Sequence, residues 1–314
     1  MSLKCEIYNK AVAGGITNDN TRKVARSSAA KFATWAAKNG YKGKHLFCNQ
    51  DVATKALQEY ANDMVAQGYS PATVHTRLAA PCKAFSINMA KIDKPIRSGE
   101  DITRSRGGGN QRGQAQVAAP AFARLVSLQS SLGLRRSELS KLYGRDLVHD
   151  ESGNLCVQVK RGKGGKHQLQ RVLPKDVPTV KAIMGERGAD ALVFDSHELA
   201  NKIDLHGMRA AHARIAYDYY ATKLLTEPTY YDQLKAELVA RWDAERPDAS
   251  PRQRNAYISK LNNSNPIYLR ESGNYSLAVE NDRPTVYNRL AVMAVSVFHL
   301  SHWRTDVTIS HYLV

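Results

Sequence analysis

The chain has 314 residues, 43% of them hydrophobic, enough for more than one core. Its 45 Lys+Arg against 29 Asp+Glu leave a formal charge of +16, an excess suited to a polyanionic partner. The longest apolar runs, such as residues 290–300, are too short to span a bilayer, and the N-terminus has no secretory signature. The four cysteines, Cys5, Cys48, Cys82 and Cys156, lie too far apart for a metal or redox motif, so a reduced cytoplasmic protein without metal is expected.

From Thr21 to Ala37, Val24, Phe32 and Trp35 recur near helical spacing among Lys23, Arg26 and Lys31, which predicts an amphipathic helix with a basic outer face. A second helix is predicted after Asp51, burying Val52, Leu57, Tyr60, Met64 and Val65 and stopping at Gly68. Ser70 reads as an N-cap with Pro71 in the first turn of a third, which buries Val74, Leu78 and Phe85 and which Pro81 should kink or divide. These segments predict a small domain of about four helices over residues 1–93. With 18 basic and 8 acidic residues before residue 117, much of the net charge sits at this end, as a DNA-gripping module requires.

Residues 94–116, with Gly107-Gly108-Gly109 and five basic side chains, read as a flexible basic linker. A second domain is expected over 117–314. Phe122, Leu125, Val126 and Leu132 mark a helix. A strand pair is expected across 155–173, where Val157 and Val159 alternate and Gly162-Lys163-Gly164-Gly165 makes the turn. Helices should follow to the end, one of them carrying Leu234, Leu238, Val239 and Trp242 on its apolar face. The fold class is mainly α with a small β-sheet.

Four motifs follow in order along the second domain. They are Gly133-Leu134-Arg135-Arg136-Ser137-Glu138-Leu139, then Gly162-Lys163-Gly164-Gly165-Lys166, then His206-Gly207-Met208-Arg209, and finally Leu300-Ser301-His302 with Asp306-Val307-Thr308 and His311-Tyr312-Leu313. Each has a bland reading alone: Arg135 and Glu138 could form an ordinary surface ion pair, and the glycine-rich basic turn a nonspecific DNA contact. Together, and with the run Gly68-Tyr69-Ser70-Pro71-Ala72-Thr73-Val74 through Phe85, they resemble the tyrosine recombinases of the phage-integrase type over most of residues 20–314.

The resemblance implies a helical core-binding, SAM-like domain joined to an α+β catalytic domain. It implies a DNA integrase that cuts and rejoins strands through a 3′-phosphotyrosine, with Arg135, Lys163, His206, Arg209, His302 and Tyr312 as its catalytic set. No cofactor is implied. Double-stranded DNA is the implied partner, bound by a homotetramer on paired sites with DNA-bending or directionality proteins, at the nucleoid of a bacterium and away from membranes. Three departures stand out. Ser301 occupies a position usually held by glycine, Tyr312 follows His302 by one residue more than usual, and the long stretch between Arg209 and His302 makes residues 219–283 look inserted.

The residues support the same chemistry physically. Attack on a phosphodiester builds charge on its non-bridging oxygens, which two arginines and His302 would hold while His206 assists proton transfer. Lys163 would protonate the leaving 5′ oxygen and Tyr312 would attack phosphorus. Among 15 tyrosines, the cluster Tyr217, Tyr219, Tyr220, Tyr230 and Tyr231 is the rival source of a nucleophile. The rival functions are relaxation of DNA by a type IB topoisomerase and DNA binding by a catalytically silent regulator.

Overall fold

The computed structural model describes residues 1–97, 113–160, 162, 167–270 and 273–314. The chain divides into two compact units, Met1–Asp101 and Ile102–Val314.

The first unit is helical: α1 (Leu3–Ala13), α2 (Asp19–Lys38), α3 (Gly43–Cys48), α4 (Gln50–Ala66) and α5 (Pro71–Ala84). Side chains close each main N-terminus, since Asn18, Asn49 and Ser70 accept from amides of the first turns of α2, α4 and α5. Phe32 sits at the centre, edge-on to Tyr60 and Phe85 at 5.3 and 5.8 Å. The apolar stripes differ in part from the expectation, and Val24 of α2 is 46% exposed. Val65 is 45% exposed, because the stripe of α4 is completed by alanines 53, 56 and 61, small residues that let helices approach closely. Pro81 does not divide α5, which runs on to Ala84. The helix α1, absent from the sequence reading, buries only Ile7 and Ala11, a stripe too thin to register as periodicity.

The second unit starts with α6 (Gln114–Val117), α7 (Ala123–Leu132) and α8 (Arg136–Leu139). A three-stranded antiparallel sheet follows, β1 (Leu147–His149), β2 (Leu155–Val159) and β3 (Gln168–Arg171), in the order β1-β2-β3 with Val159 opposite Gln168. Cys156 is buried as well as Val157 and Val159, so β2 is covered on both faces and the expected alternation is lost. The remainder is α9 (Val177–Gly185), α10 (Ser196–Leu199), α11 (Leu205–Thr226), α12 (Tyr230–Glu245), α13 (Pro251–Leu261), β4 (Ile267–Tyr268), α14 (Gly273–Glu280), β5 (Val286–Tyr287), α15 (Arg289–Ala294) and α16 (Thr305–Thr308). The protein is thus mainly helical with two small antiparallel sheets.

The stretch 219–283 is part of the core. Leu234, Leu238 and Trp242 of α12 pack in one apolar cluster with Tyr220, Val295 and Phe298. Beneath it lies a buried ionic network. Asp150 accepts from Arg171 at 2.7 Å and from Arg241 at 3.0 Å, and Arg171 also donates to Glu237. The Arg171 guanidinium carbon lies over the Phe298 ring, 3.6 Å from its centroid. These charges join the sheet to α12. Among the described residues no helix is long and apolar enough to cross a membrane, and no cluster of His, Cys, Asp and Glu is arranged to hold a metal.

Candidate functional site

Five of the six candidate residues converge within the second unit. The turn after α7 starts the site: Gly133 caps the helix in a left-handed conformation, φ 61°, and a Cβ there would press on the His212 ring at 3.0 Å. The chain then exits extended through Arg135, whose amide and guanidinium both donate to Glu138, at 2.8 and 2.6 Å. Glu138 is 1% exposed and Arg135 23%, so the pair is an anchored strut that holds the guanidinium at the mouth of a cleft. The neighbouring Arg136 turns away and donates to the carbonyls of Leu199 and Ile203. The cleft, of about 820 Å³, is lined by Arg135, Ser137, Asp204, His206 and Arg209 among others.

His206 and Arg209 share one face of α11, three residues apart. Asp204 caps this helix by accepting from the Gly207 amide at 3.0 Å, and a Cβ at Gly207 would lie 2.7 Å from the Asp204 carboxylate. Glycine in the His-Gly-Met-Arg box therefore serves the cap. Arg209 is fully buried and donates to the carbonyls of Gly133 and Leu300, the latter at 2.8 Å. It thereby ties the first motif to the last. Its Nε has no hydrogen-bond partner among the described residues. Burial and the like charge of Arg135 weaken its hold on its proton, and Tyr312 and Glu138 oppose them.

The last motif follows one π-helical turn, 295–299, and ends in another, 309–313, which carries Tyr312; the Leu300 amide bonds to Val295 O and the Val314 amide to Ile309 O. Ser301 stands at φ 51° and Trp303 at φ 57°, left-handed conformations on either side of His302. This accounts for the glycine expected at position 301. A left-handed non-glycine residue costs about 1–3 kcal/mol. Ser301→Gly should therefore raise unfolding stability by about 1 kcal/mol after glycine's extra chain entropy is deducted, read as a higher urea midpoint. An unchanged or lower midpoint would show that the serine is not strained.

The Arg304 amide donates to His302 Nδ1 at 3.3 Å, so the proton of the neutral ring sits on Nε2. That atom is buried and has no partner among the described residues. Burial, then Arg209, Arg135 and Arg304, push the His302 pKa down to about 3, which makes it a neutral donor. His206 is lowered too, by burial and by Arg209 against Asp204. Tyr312 lies between the two imidazoles, 5.7 Å from the His206 ring and 5.9 Å from the His302 ring, with the Arg209 guanidinium 5.8 Å from its own ring. It is 6% exposed, already seated in the site, and its carbonyl accepts from Arg214 of α11 at 3.2 Å. The sixth candidate, Lys163, lies outside the described residues, as does most of the predicted linker.

Two of the rival tyrosines are engaged elsewhere. The Tyr217 hydroxyl accepts from the Asn288 amide, and that of Tyr220 bonds His299 Nε2 at 3.0 Å. The second bond ends a buried chain that sequence reasoning missed: Ser130 O, His212, His299, Tyr220, each step 3.0 Å. His212 is one helical turn beyond Arg209, a spacing that is its only sequence signal. Burial holds its pKa down at about 4, well below the ordinary 6.5. The unfolded chain therefore binds the proton first, so the stabilisation is complete above about pH 6.5 and is lost as pH falls toward 4. His212 alone should remove roughly 3 kcal/mol over that window, and His302 acts in the same direction. Urea titrations at pH 7 and pH 4.5 check this; equal stabilities would mean that neither ring is held neutral.

The arrangement places a phenol beside one guanidinium and two imidazoles whose charged forms are disfavoured, with Arg135, His206 and Arg209 lining one cleft. Such a set stabilises an anion with several oxygens and offers it a nucleophile. No family model and no curated protein matches the chain. Among solved structures, a crystal structure of XerA recombinase is similar at 15% identity with a TM-score of 0.25, covering 90% of this chain and 99% of that one.

Proposed function

We propose that this chain is a site-specific tyrosine recombinase that cuts and rejoins double-stranded DNA for a mobile element. The observation that carries the reading is the convergence on Tyr312 of Arg209, His206 and His302, with Arg135 on the same cleft. In this reading the Tyr312 hydroxyl attacks a backbone phosphorus as the bond to the 5′ oxygen breaks. Arg135, Arg209 and His302 Nε2–H hold the non-bridging oxygens, His206 moves a proton, and Lys163 protonates the 5′ oxygen. Rejoining is the reverse attack by a 5′ hydroxyl of another strand. Residues 1–93 serve as the DNA-gripping part, 94–116 as linker and 117–314 as the catalytic part, with 219–283 as an addition to the family pattern. A homotetramer on paired sites would exchange the strands.

The test uses duplexes selected from a random pool on the full-length protein, nicked to trap the covalent state. A denaturant-resistant adduct whose DNA-bearing peptide contains Tyr312 is expected. No adduct on any selected duplex would leave a silent DNA-binding protein instead, and relaxation of plasmids lacking the selected site would point to a topoisomerase. Binding should weaken steeply with salt, about 10³-fold or more between 50 and 200 mM, because many phosphates shed counterions. A flat salt response would remove the polyanion from the reading.

A further inference from the structure

We infer that Trp303 is a positioning residue for His302, locked by a wall built from α12 and α13; the inference rests on the recombinase reading and deepens it. The case starts from the backbone. Ser301 and Trp303 both hold left-handed conformations, each costly for a residue with a side chain, so the path that presents His302 must be held by contacts. The His302 amide donates to Ser296 O at 3.1 Å, which fixes the entry to the loop, but the hydrogen bonds of the ring are long: its Nδ1 lies 3.4 Å from Ser296 Oγ and 3.3 Å from the Arg304 amide.

Trp303 has what His302 lacks. Its indole stands edge-on to Trp242 of α12 at 5.4 Å and to Tyr257 of α13 at 5.6 Å. Those two rings are themselves stacked at 4.3 Å and 13°. The indole Nε1–H donates to Glu245 Oε2 at 3.0 Å. The other oxygen of Glu245 faces Arg241 at 3.8 Å, which connects the wall to the ionic network under the sheet. A wedge bounded by two aromatic rings and fixed by one directional bond sets the rotation of residue 303, and with it the direction of the side chain before it. The stretch 219–283 would thus hold a group of the site from behind.

Two measurements test this. The first is independent of DNA: histidine ring resonances of the full-length protein are titrated in the native chain, in Trp303→Ala and in Trp303→Phe. His302 should titrate well below pH 5 in the native chain and rise toward 6.5 in Trp303→Ala, as the freed ring reaches solvent. The charged groups that face it, Arg209, Arg135, Arg304 and Asp306, are untouched by the substitution. Trp303→Phe, which keeps an aromatic ring in the wedge but loses the N–H and part of the ring area, should fall between the two. The second is the rate of adduct formation on the selected duplex. Trp303→Ala should slow it about as much as His302→Ala, ~10-fold or more, and the double variant should be no slower than His302→Ala alone. An unchanged His302 titration, or additive losses in the double variant, would overturn the positioning role. Full activity of His302→Ala would instead count against the recombinase reading, and the titration would still judge the positioning.

Discussion

Tyr312→Phe should abolish the covalent protein–DNA adduct, by on the order of 10³-fold or more, while duplex binding changes little. The substitution removes one hydroxyl from a ring that otherwise keeps its packing between His206 and His302, so the fold should survive it. Arg135→Ala should behave similarly for a different reason, losing ~10²-fold in cleavage as a transition-state donor is lost. Its guanidinium is bound only to Glu138 and supports no backbone. Arg209→Ala should differ. That guanidinium carries the carbonyls of Gly133 and Leu300, so its loss should lower stability by roughly 2–4 kcal/mol as well as stopping cleavage. Adduct yield, duplex affinity and urea midpoint measured on the three variants separate these roles. An adduct at native yield from Tyr312→Phe would move the nucleophile elsewhere. A native midpoint for Arg209→Ala would show that its carbonyl bonds carry no weight.

The largest effect on stability is expected from Asp150→Ala. Asp150 and Arg241 each have side chains 1% exposed and Arg171 one 6% exposed, so the three charges are buried together. Burial alone would raise the Asp150 pKa, but Arg171 and the bonds from Asn154 outweigh it and hold the carboxyl below its usual range. Without Asp150, Arg241 keeps the Leu169 carbonyl at 3.0 Å but, of carboxylates, only the longer contacts to Glu151 and Glu245, at 3.5 and 3.8 Å, and Arg171 keeps Glu237. Breaking such a network from one side costs about 3–5 kcal/mol, because the remaining cations stay buried. In a unit of this size that is a fall in melting temperature of roughly 10 °C. Asp190, paired with Arg145 and 83% exposed, is the control, and Asp190→Ala should shift stability by less than about 0.5 kcal/mol. Calorimetry on the two variants decides the matter. Equal melting temperatures would mean that water reaches Arg171 and Arg241.

The sequence by itself determined the helical character of α2, α4 and α5, the Ser70 cap that opens α5, the strand pair β2 and β3, and the positions of five residues that come together in the second unit. These are local matters: a cap, a turn or a stripe depends on residues within a few positions of one another. Tertiary structure decided everything that required distant segments to meet. Nothing local marks Arg171, Arg241 and Asp150 as buried, and it is the approach of α12 to the sheet that brings them together. Arg209 reads as a donor for an external anion, yet two of its bonds go to backbone of residues 133 and 300, which the chain order keeps far apart. Ser301 departs from glycine without any sign that its backbone remains left-handed. It is spanned by a local bond, from the His302 amide to Ser296 O, while Trp303, in the same loop, packs against rings 61 and 46 positions earlier in the chain. Periodicity reports which face of an element is buried; it carries no information on what covers that face.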